Sequence, residues 1–294
     1  MKILITGVNG FVGSNLAKML GIDNYIIGTG TRESSTVKVD DYFKWNMAEE
    51  ECPFDKLPEE LDAIIHAGAC LDKNNFNEQL IQVNCLGTHR ILQLAKYKNV
   101  KKVFYISGVP VIGEPLEHPI TESHPLAPQT VYHATKLAGE WILNQLIQEE
   151  IEVVHLRVPS PIGPGMPVKT ILPIFVSRAL AGETIQIMGQ GSRRQNYLDV
   201  RDLGNVIKGC LALEHISGTY HIGSDETISN LELAKLCVEL TKSISAIEFT
   251  GVEDKLDGQI WDVDSTKAKE KLNYRQSYQM RDSLLDIIAQ MRGE

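Results

Sequence analysis

The sequence predicts an α/β chain: a doubly wound parallel sheet followed by a smaller α/β region. Three observations carry that expectation. Over the first 158 residues, apolar runs of strand length alternate with stretches of helical periodicity, the pattern of a parallel sheet covered on both faces. The first strand and helix are joined by Gly7, Gly10 and Gly13 at three-residue spacing. After residue 158 the alternation weakens into proline and glycine turns, which places the start of a second region there.

Lys2-Ile3-Leu4-Ile5 reads as a short buried strand and residues 15–20 as a helix, so the glycines lie in the turn between them. Gly7 permits a tight turn, Gly10 lets the backbone approach phosphate oxygens, and Gly13 lets the helix pack close to the strand. Unpaired amides and about half a positive charge at the helix N-terminus then face a pyrophosphate. This is the turn of a Rossmann-type dinucleotide site. Tyr25-Ile26-Ile27-Gly28-Thr29 is the expected second strand, and its end is where the adenosine ribose is usually recognised. Thr29, Gly30, Thr31 and Arg32 stand there with no carboxylate, so Arg32 is placed to bind a 2′-phosphate or is a solvated loop residue. Either NAD or NADP is permitted.

Residues 37–47 suggest a third strand ending in a polar turn. The apolar run of residues 62–69 closes in Ala67, Gly68 and Ala69, whose small side chains leave room for the cofactor. His66 reads as a packed core histidine. Residues 79–97 have the periodicity of a long amphipathic helix, and residues 103–106 form the next strand. Prolines at 110, 115, 119, 125 and 128 then make a long active-site loop. Residues 131–150 return to helical spacing, and residues 153–158 are another strand. The expected domains are 1–158, with 196–215 returning to it, for the dinucleotide, and 159–195 with 216–294 for the substrate.

A formal charge of −9, with basic doublets only at Lys101-Lys102 and Arg193-Arg194, argues against a nucleic-acid surface. Five widely spaced cysteines without a CxxC pair fit reduced thiols better than disulfides or a metal site. No apolar run is long enough to cross a bilayer, and the N-terminus opens on a strand rather than a leader, so a soluble cytoplasmic protein is expected.

Tyr132 and Lys136 are four apart near a helix start and share one face. Ionising a free phenol at neutral pH costs about 4 kcal/mol, and a nearby ammonium with a cationic nicotinamide reduces that cost. The pair suits removal of a proton from a sugar hydroxyl while hydride leaves the same carbon. Tyr97 and Lys101 repeat the spacing, but Tyr97 ends a helix before a strand and reads as a surface residue.

The whole pattern resembles the extended short-chain dehydrogenase/reductase family of nucleotide-sugar epimerases and dehydratases. The matching pieces are residues 6–13, His66-Ala67-Gly68-Ala69, Asn84 with Gly87-Thr88, Tyr132 to Lys136, Leu156-Arg157 with Gly163-Pro164-Gly165, Gly189-Gln190-Gly191, residues 220–224 and residues 264–268. The resemblance implies a bound nicotinamide cofactor contacted by Gly7, Asn9, Gly10, Phe11, Val12, Gly13, Arg32, Asn46, Met47, residues 67–69, Asn84, Ile106, Tyr132, Lys136 and Pro159. It further implies a nucleoside-diphosphate sugar in the cleft, contacted by Ser160, Arg193, Arg194, Gln195 and Asp257, and a homodimer through the helices beginning near Asn84 and Val131.

Two positions depart from the family pattern. Gly108 stands where a second Ser or Thr helps the tyrosine, which leaves Ser107 or water as the expected substitute. Gln195 stands where an arginine often clamps the diphosphate, which leaves that task to Arg193 or Arg194. Val109 and Pro110 replace the Asp-Glu pair of 4,6-dehydratases and cannot transfer protons. The favoured activity is 4-epimerisation of a UDP-hexose or UDP-N-acetylhexosamine. An NADP-dependent reductase and a non-catalytic dinucleotide-binding protein remain the alternatives.

Overall fold

The structure, a computed structural model, describes residues 1–293. Its first half runs β1 (Lys2–Thr6), α1 (Phe11–Leu20), β2 (Tyr25–Gly30), β3 (Asp41–Lys44), β4 (Ala63–His66), α2 (Gln79–Ile81), α3 (Thr88–Tyr97), β5 (Lys102–Gly108), α4 (Val131–Leu143) and β6 (Glu152–Val158). It continues with β7 (Ser160–Ile162), α5 (Ile171–Ala181), β8 (Ile185–Ile187), β9 (Arg194–Asp199), α6 (Val200–Cys210) and β10 (Gly218–His221). The last part holds β11 (Thr227–Ser229), α7 (Asn230–Thr241), β12 (Ile247–Phe249), α8 (Thr266–Lys271) and α9 (Met280–Arg292).

Seven strands form one parallel sheet in the order β10-β6-β5-β4-β1-β2-β3, as a doubly wound fold requires. Ile3, Leu4 and Ile5 are wholly buried because both faces are covered, which is why the strand reads as an unbroken apolar run. One face packs against α1 and α6 through Leu16, Leu20, Leu203 and Ile207. The other packs against α3 and α4 through Ile91, Leu94 and Leu143. The chain runs outward from β1 to β3 and then returns to β4 beside β1, so the reversal opens a crevice at the carboxyl ends of those two strands.

Three expectations are corrected. The helix expected over 79–97 is broken by a π-helical stretch, Gln82–Gly87, between α2 and α3. The helix expected to reach residue 150 ends at Leu143 and continues as a 3-10 helix over Asn144–Glu149. The third correction concerns the boundary at 216. β10 pairs with β6 in the parallel sheet, and Tyr220, Ala268, Leu272 and Tyr274 join the core beneath α1. Segments expected on the substrate side therefore complete the dinucleotide half.

Smaller sheets, β11-β9-β7 and β12-β8, pack with α5, α7 and α9 around a separate core that includes Phe175, Leu233 and Ile287. Asn15 of α1 donates to the Pro164 carbonyl at 3.1 Å and ties the two parts together across the crevice. Among the described residues, no helix is long and apolar enough to cross a membrane.

Two buried histidines should make the fold acid-sensitive. Burial lowers His66 to about 3 and His155 to about 4, from an ordinary value near 6.5. The unfolded chain therefore takes up protons below about pH 6.5 that the folded chain refuses, and stability falls as pH falls. Each histidine contributes at most about 1.4 kcal/mol per pH unit in that window. Denaturant midpoints measured from pH 7 to 5 should fall steadily, and His155→Gln should flatten the slope.

Candidate active site

A cleft of about 690 Å³ opens at the carboxyl ends of the central strands, between the sheet and the second core. One wall is the glycine turn. Gly7 has φ +66°, and a Cβ there would lie 2.6 Å from the Cα of Gly68. A Cβ on Gly13 would lie 2.3 Å from the Gly7 carbonyl oxygen. Gly10 occupies the N-cap of α1 with no side-chain cap, so the first amides of the helix are left for an anion. These features fit a dinucleotide pyrophosphate. Phe11, Val12, Ala67, Ala69, Ile106 and Pro159 continue the lining on this side.

Several residues expected at the cofactor are engaged within the chain. The Asn9 carboxamide accepts from the Thr36 amide at 2.7 Å and donates to the Ser34 carbonyl, so its side chain braces the loop after β2. Arg32 lies on that loop, where its carbonyl accepts from the Tyr42 hydroxyl at 2.6 Å, and its exposed side chain does not line the cleft. Asn46 caps its own turn by accepting from the Ala48 amide. Met47 is buried in the core, and its carbonyl accepts from the Arg90 guanidinium. Asn84 donates to the Cys70 carbonyl and to Thr135 Oγ1, and accepts from the Cys70 amide. It sits in the π-helical stretch and clasps the loop after β4 to α4. His66 is a strut: its ring nitrogens bond Thr6 Oγ1 at 2.7 Å and Thr88 Oγ1 at 3.0 Å.

Tyr132 and Lys136 both line the cleft from the start of α4, whose N-cap Thr130 accepts from the His133 amide. The Lys136 ammonium lies 4.1 Å from the centre of the Tyr105 ring, a cation–π contact. Burial lowers Lys136 to about 7, against the pull of Glu140, and pushes Tyr132 up to about 12. Without a bound cofactor the chain keeps the phenol protonated. A bound cationic nicotinamide would add positive charge that favours the phenolate.

Ser107 touches the cleft but does not offer its hydroxyl to it. That hydroxyl donates to Glu140 Oε1 at 2.5 Å, and Glu140 forms a two-point ion pair with Arg157 at 2.9 and 2.7 Å. The expectation that Ser107 substitutes for a missing donor is thereby corrected. Hydrogen bonds from Arg157 and Ser107 outweigh burial and hold the Glu140 carboxyl below its ordinary value.

On the far wall, Ser160, Arg193 and Gln195 line the cleft. With its carboxamide oxygen turned inward, Gln195 accepts from Arg193 Nη2 and Nε at 2.9 and 2.5 Å. Arg194 points elsewhere: it donates to Thr227 Oγ1 and the Thr227 carbonyl and pairs with Glu232, fastening β9 to β11. Asp257 lies on the turn opposite Gln190 and Ser192. Its carboxylate accepts from the amides of Gln190 and Ser192 and from the Ser192 hydroxyl, closing the turn that contains Gly189 and Gly191.

Residues 3–223 match the NAD dependent epimerase/dehydratase family. The chain belongs to that family. It is 28% identical over 303 residues to the low-salt glycan biosynthesis protein Agl12 of Haloferax volcanii, covering 97% of this chain and 96% of that protein. It is 25% identical to a dTDP-glucose 4,6-dehydratase of Actinoplanes sp., covering all of this chain and 98% of the relative. The fold is similar to that of the UDP-glucose 4-epimerase of Thermotoga maritima, solved with UDP-glucose. The TM-score is 0.88 at 22% identity, covering all of this chain and 99% of that one.

Within this epimerase/dehydratase frame, the features that the sequence reading missed are the ones around Lys136. Glu140 follows Lys136 by four residues, a helical spacing that could have signalled it. Tyr105 alternates with Ile106 along β5 and so faces α4. His133 also lines the cleft, with no motif to mark it.

The Gly13 contact yields a test. Gly13→Ala should open the turn and weaken nicotinamide-dinucleotide binding by about ten- to hundredfold, as measured by fluorescence titration, with circular dichroism confirming that the protein is folded.

Proposed function

We propose that the chain is a nucleoside-diphosphate-sugar 4-epimerase acting on a UDP-hexose or UDP-N-acetylhexosamine with NAD bound. The observation that carries this reading is the meeting of Tyr132 and Lys136 with the glycine turn in one cleft. The bound nicotinamide would accept hydride from the sugar carbon and return it to the opposite face. The chain's residues supply the rest. Tyr132 takes the hydroxyl proton and gives it back, with Lys136 four residues further along the same face of α4 and in the same cleft. Arg193, oriented by Gln195, is placed for the diphosphate, since a guanidinium matches phosphate in two-point geometry. Val109 and Pro110 supply no acid or base next to Gly108, which favours epimerisation over dehydration.

A second reading, an NADP-dependent reductase of a nucleotide sugar, is favoured by the end of β2, where Arg32 is exposed and no carboxylate would repel a 2′-phosphate. The test is incubation with a panel of UDP-, dTDP- and GDP-sugars. An epimerase interconverts two sugars with no net use of cofactor, whereas a reductase consumes it stoichiometrically. We also propose a homodimer through the helices around α4, where Ile81, Leu86 and Trp141 are exposed, and a cytoplasmic location.

Tyr132→Phe should lower kcat by about 10²- to 10⁴-fold while leaving bound dinucleotide unchanged, as read from turnover and from cofactor released on denaturation. Steady-state kinetics should separate the adjacent arginines. Arg193→Ala should raise KM for the nucleotide sugar by about ten- to hundredfold, whereas Arg194→Ala should lower thermal stability and leave KM unchanged.

A further inference from the structure

A hydroxyl oxygen that loses its proton while its carbon loses hydride becomes a carbonyl oxygen, and a hydrogen-bond donor aimed at it stabilises that change. Tyr132 is one such group. A second is expected beside it, because a single phenol must both take the proton and hold the new carbonyl. On the strand side of the cleft the candidates fail. Gly108 has no side chain, and the Ser107 hydroxyl is engaged by Glu140. Lys136 lies against the Tyr105 ring. His133 remains. It lines the same cleft, its ring centre is 5.4 Å from that of Tyr132, and its backbone is fixed by the Thr130 cap. The ring has no hydrogen-bond partner within the described residues. Burial lowers its affinity for a proton, so the neutral imidazole carries one N–H donor and one acceptor at physiological pH.

We propose that His133 is a second catalytic residue, donating its ring N–H to the sugar oxygen that Tyr132 deprotonates. The inference rests on the epimerase reading above. With a cationic nicotinamide bound to favour the Tyr132 phenolate, the O–H proton would pass to Tyr132 and hydride would leave the same carbon for that ring, so that the carbon–oxygen bond becomes double. His133 keeps its own proton throughout and stabilises the carbonyl while the sugar turns over. Return of hydride and proton reverses each step.

Gly108 provides an internal control. Its backbone is extended, with φ −135°, and a Cβ there would meet only Pro110 Cδ at 3.4 Å and the Val158 carbonyl at 3.7 Å, so a serine fits. The test uses the dinucleotide-loaded enzyme with a UDP-sugar panel, following both turnover and the appearance of reduced nicotinamide. His133→Ala should lower kcat by about ten- to hundredfold with KM changed less than about threefold, and His133→Asn, which keeps an N–H donor, should lose less. Adding Gly108→Ser to His133→Ala should restore turnover at least about fivefold over His133→Ala. A parent enzyme that is active while His133→Ala matches it, or a double variant no faster than His133→Ala, overturns the proposal and leaves the epimerase reading standing. A parent enzyme that oxidises none of the sugars overturns both.

Discussion

The contact on which the site depends is backbone against backbone: the turn after β1 lies on the turn after β4, with Gly7 and Gly68 too close for any side chain between them. Thr6 secures that approach. Its hydroxyl accepts from the Gly68 amide at 3.1 Å and bonds the His66 ring, which reaches on to Thr88 at the start of α3. Three elements are thus tied at the crevice floor by groups that are wholly buried and mutually satisfied. The amides of α1 are held open toward the cleft because glycine at the N-cap leaves them uncapped.

The reacting end is supported differently. Beneath α4 the chain buries Lys136, Glu140 and Arg157, three charges that would each be costly alone. They are reconciled by close pairing: Arg157 grips both oxygens of Glu140, Ser107 donates to the same carboxylate, and Lys136 rests on the face of Tyr105. A Cβ on Gly139 would lie 2.2 Å from the Tyr105 hydroxyl, so α4 can settle onto that ring only with glycine at this position. The packing sets where the lysine sits, and its burial lowers its affinity for a proton.

The sheet was legible because parallel strands covered on both faces show as continuous apolar runs, and the glycine turn because its spacing answers to backbone geometry. Tyr132 and Lys136 were legible through helical spacing together with the strand before them. What escaped was the destination of long polar side chains. Nothing in Arg193-Arg194 shows which arginine turns into the cleft, since adjacent residues on a strand point to opposite sides and the parity depends on where β9 begins. Asn46, Asn84 and Asp257 likewise had composition suited to ligands but are engaged by nearby backbone amides, a competition that short polar side chains often win. The π-helical stretch was hidden for a related reason: one extra residue per turn barely disturbs the amphipathic pattern on either side.

Strand β10 carries a consequence for how the molecule is made. It closes one edge of the main sheet, yet its residues pair with β6 residues 64 positions earlier, so it is reached only after β7, α5, β8, β9 and α6 have been threaded. During vectorial synthesis the nascent sheet leaves the ribosome with β6 as a bare margin, its amides and carbonyls open to foreign strands. The two halves are therefore not beads on a string. Maturation of the nucleotide-binding half waits on the emergence of the other.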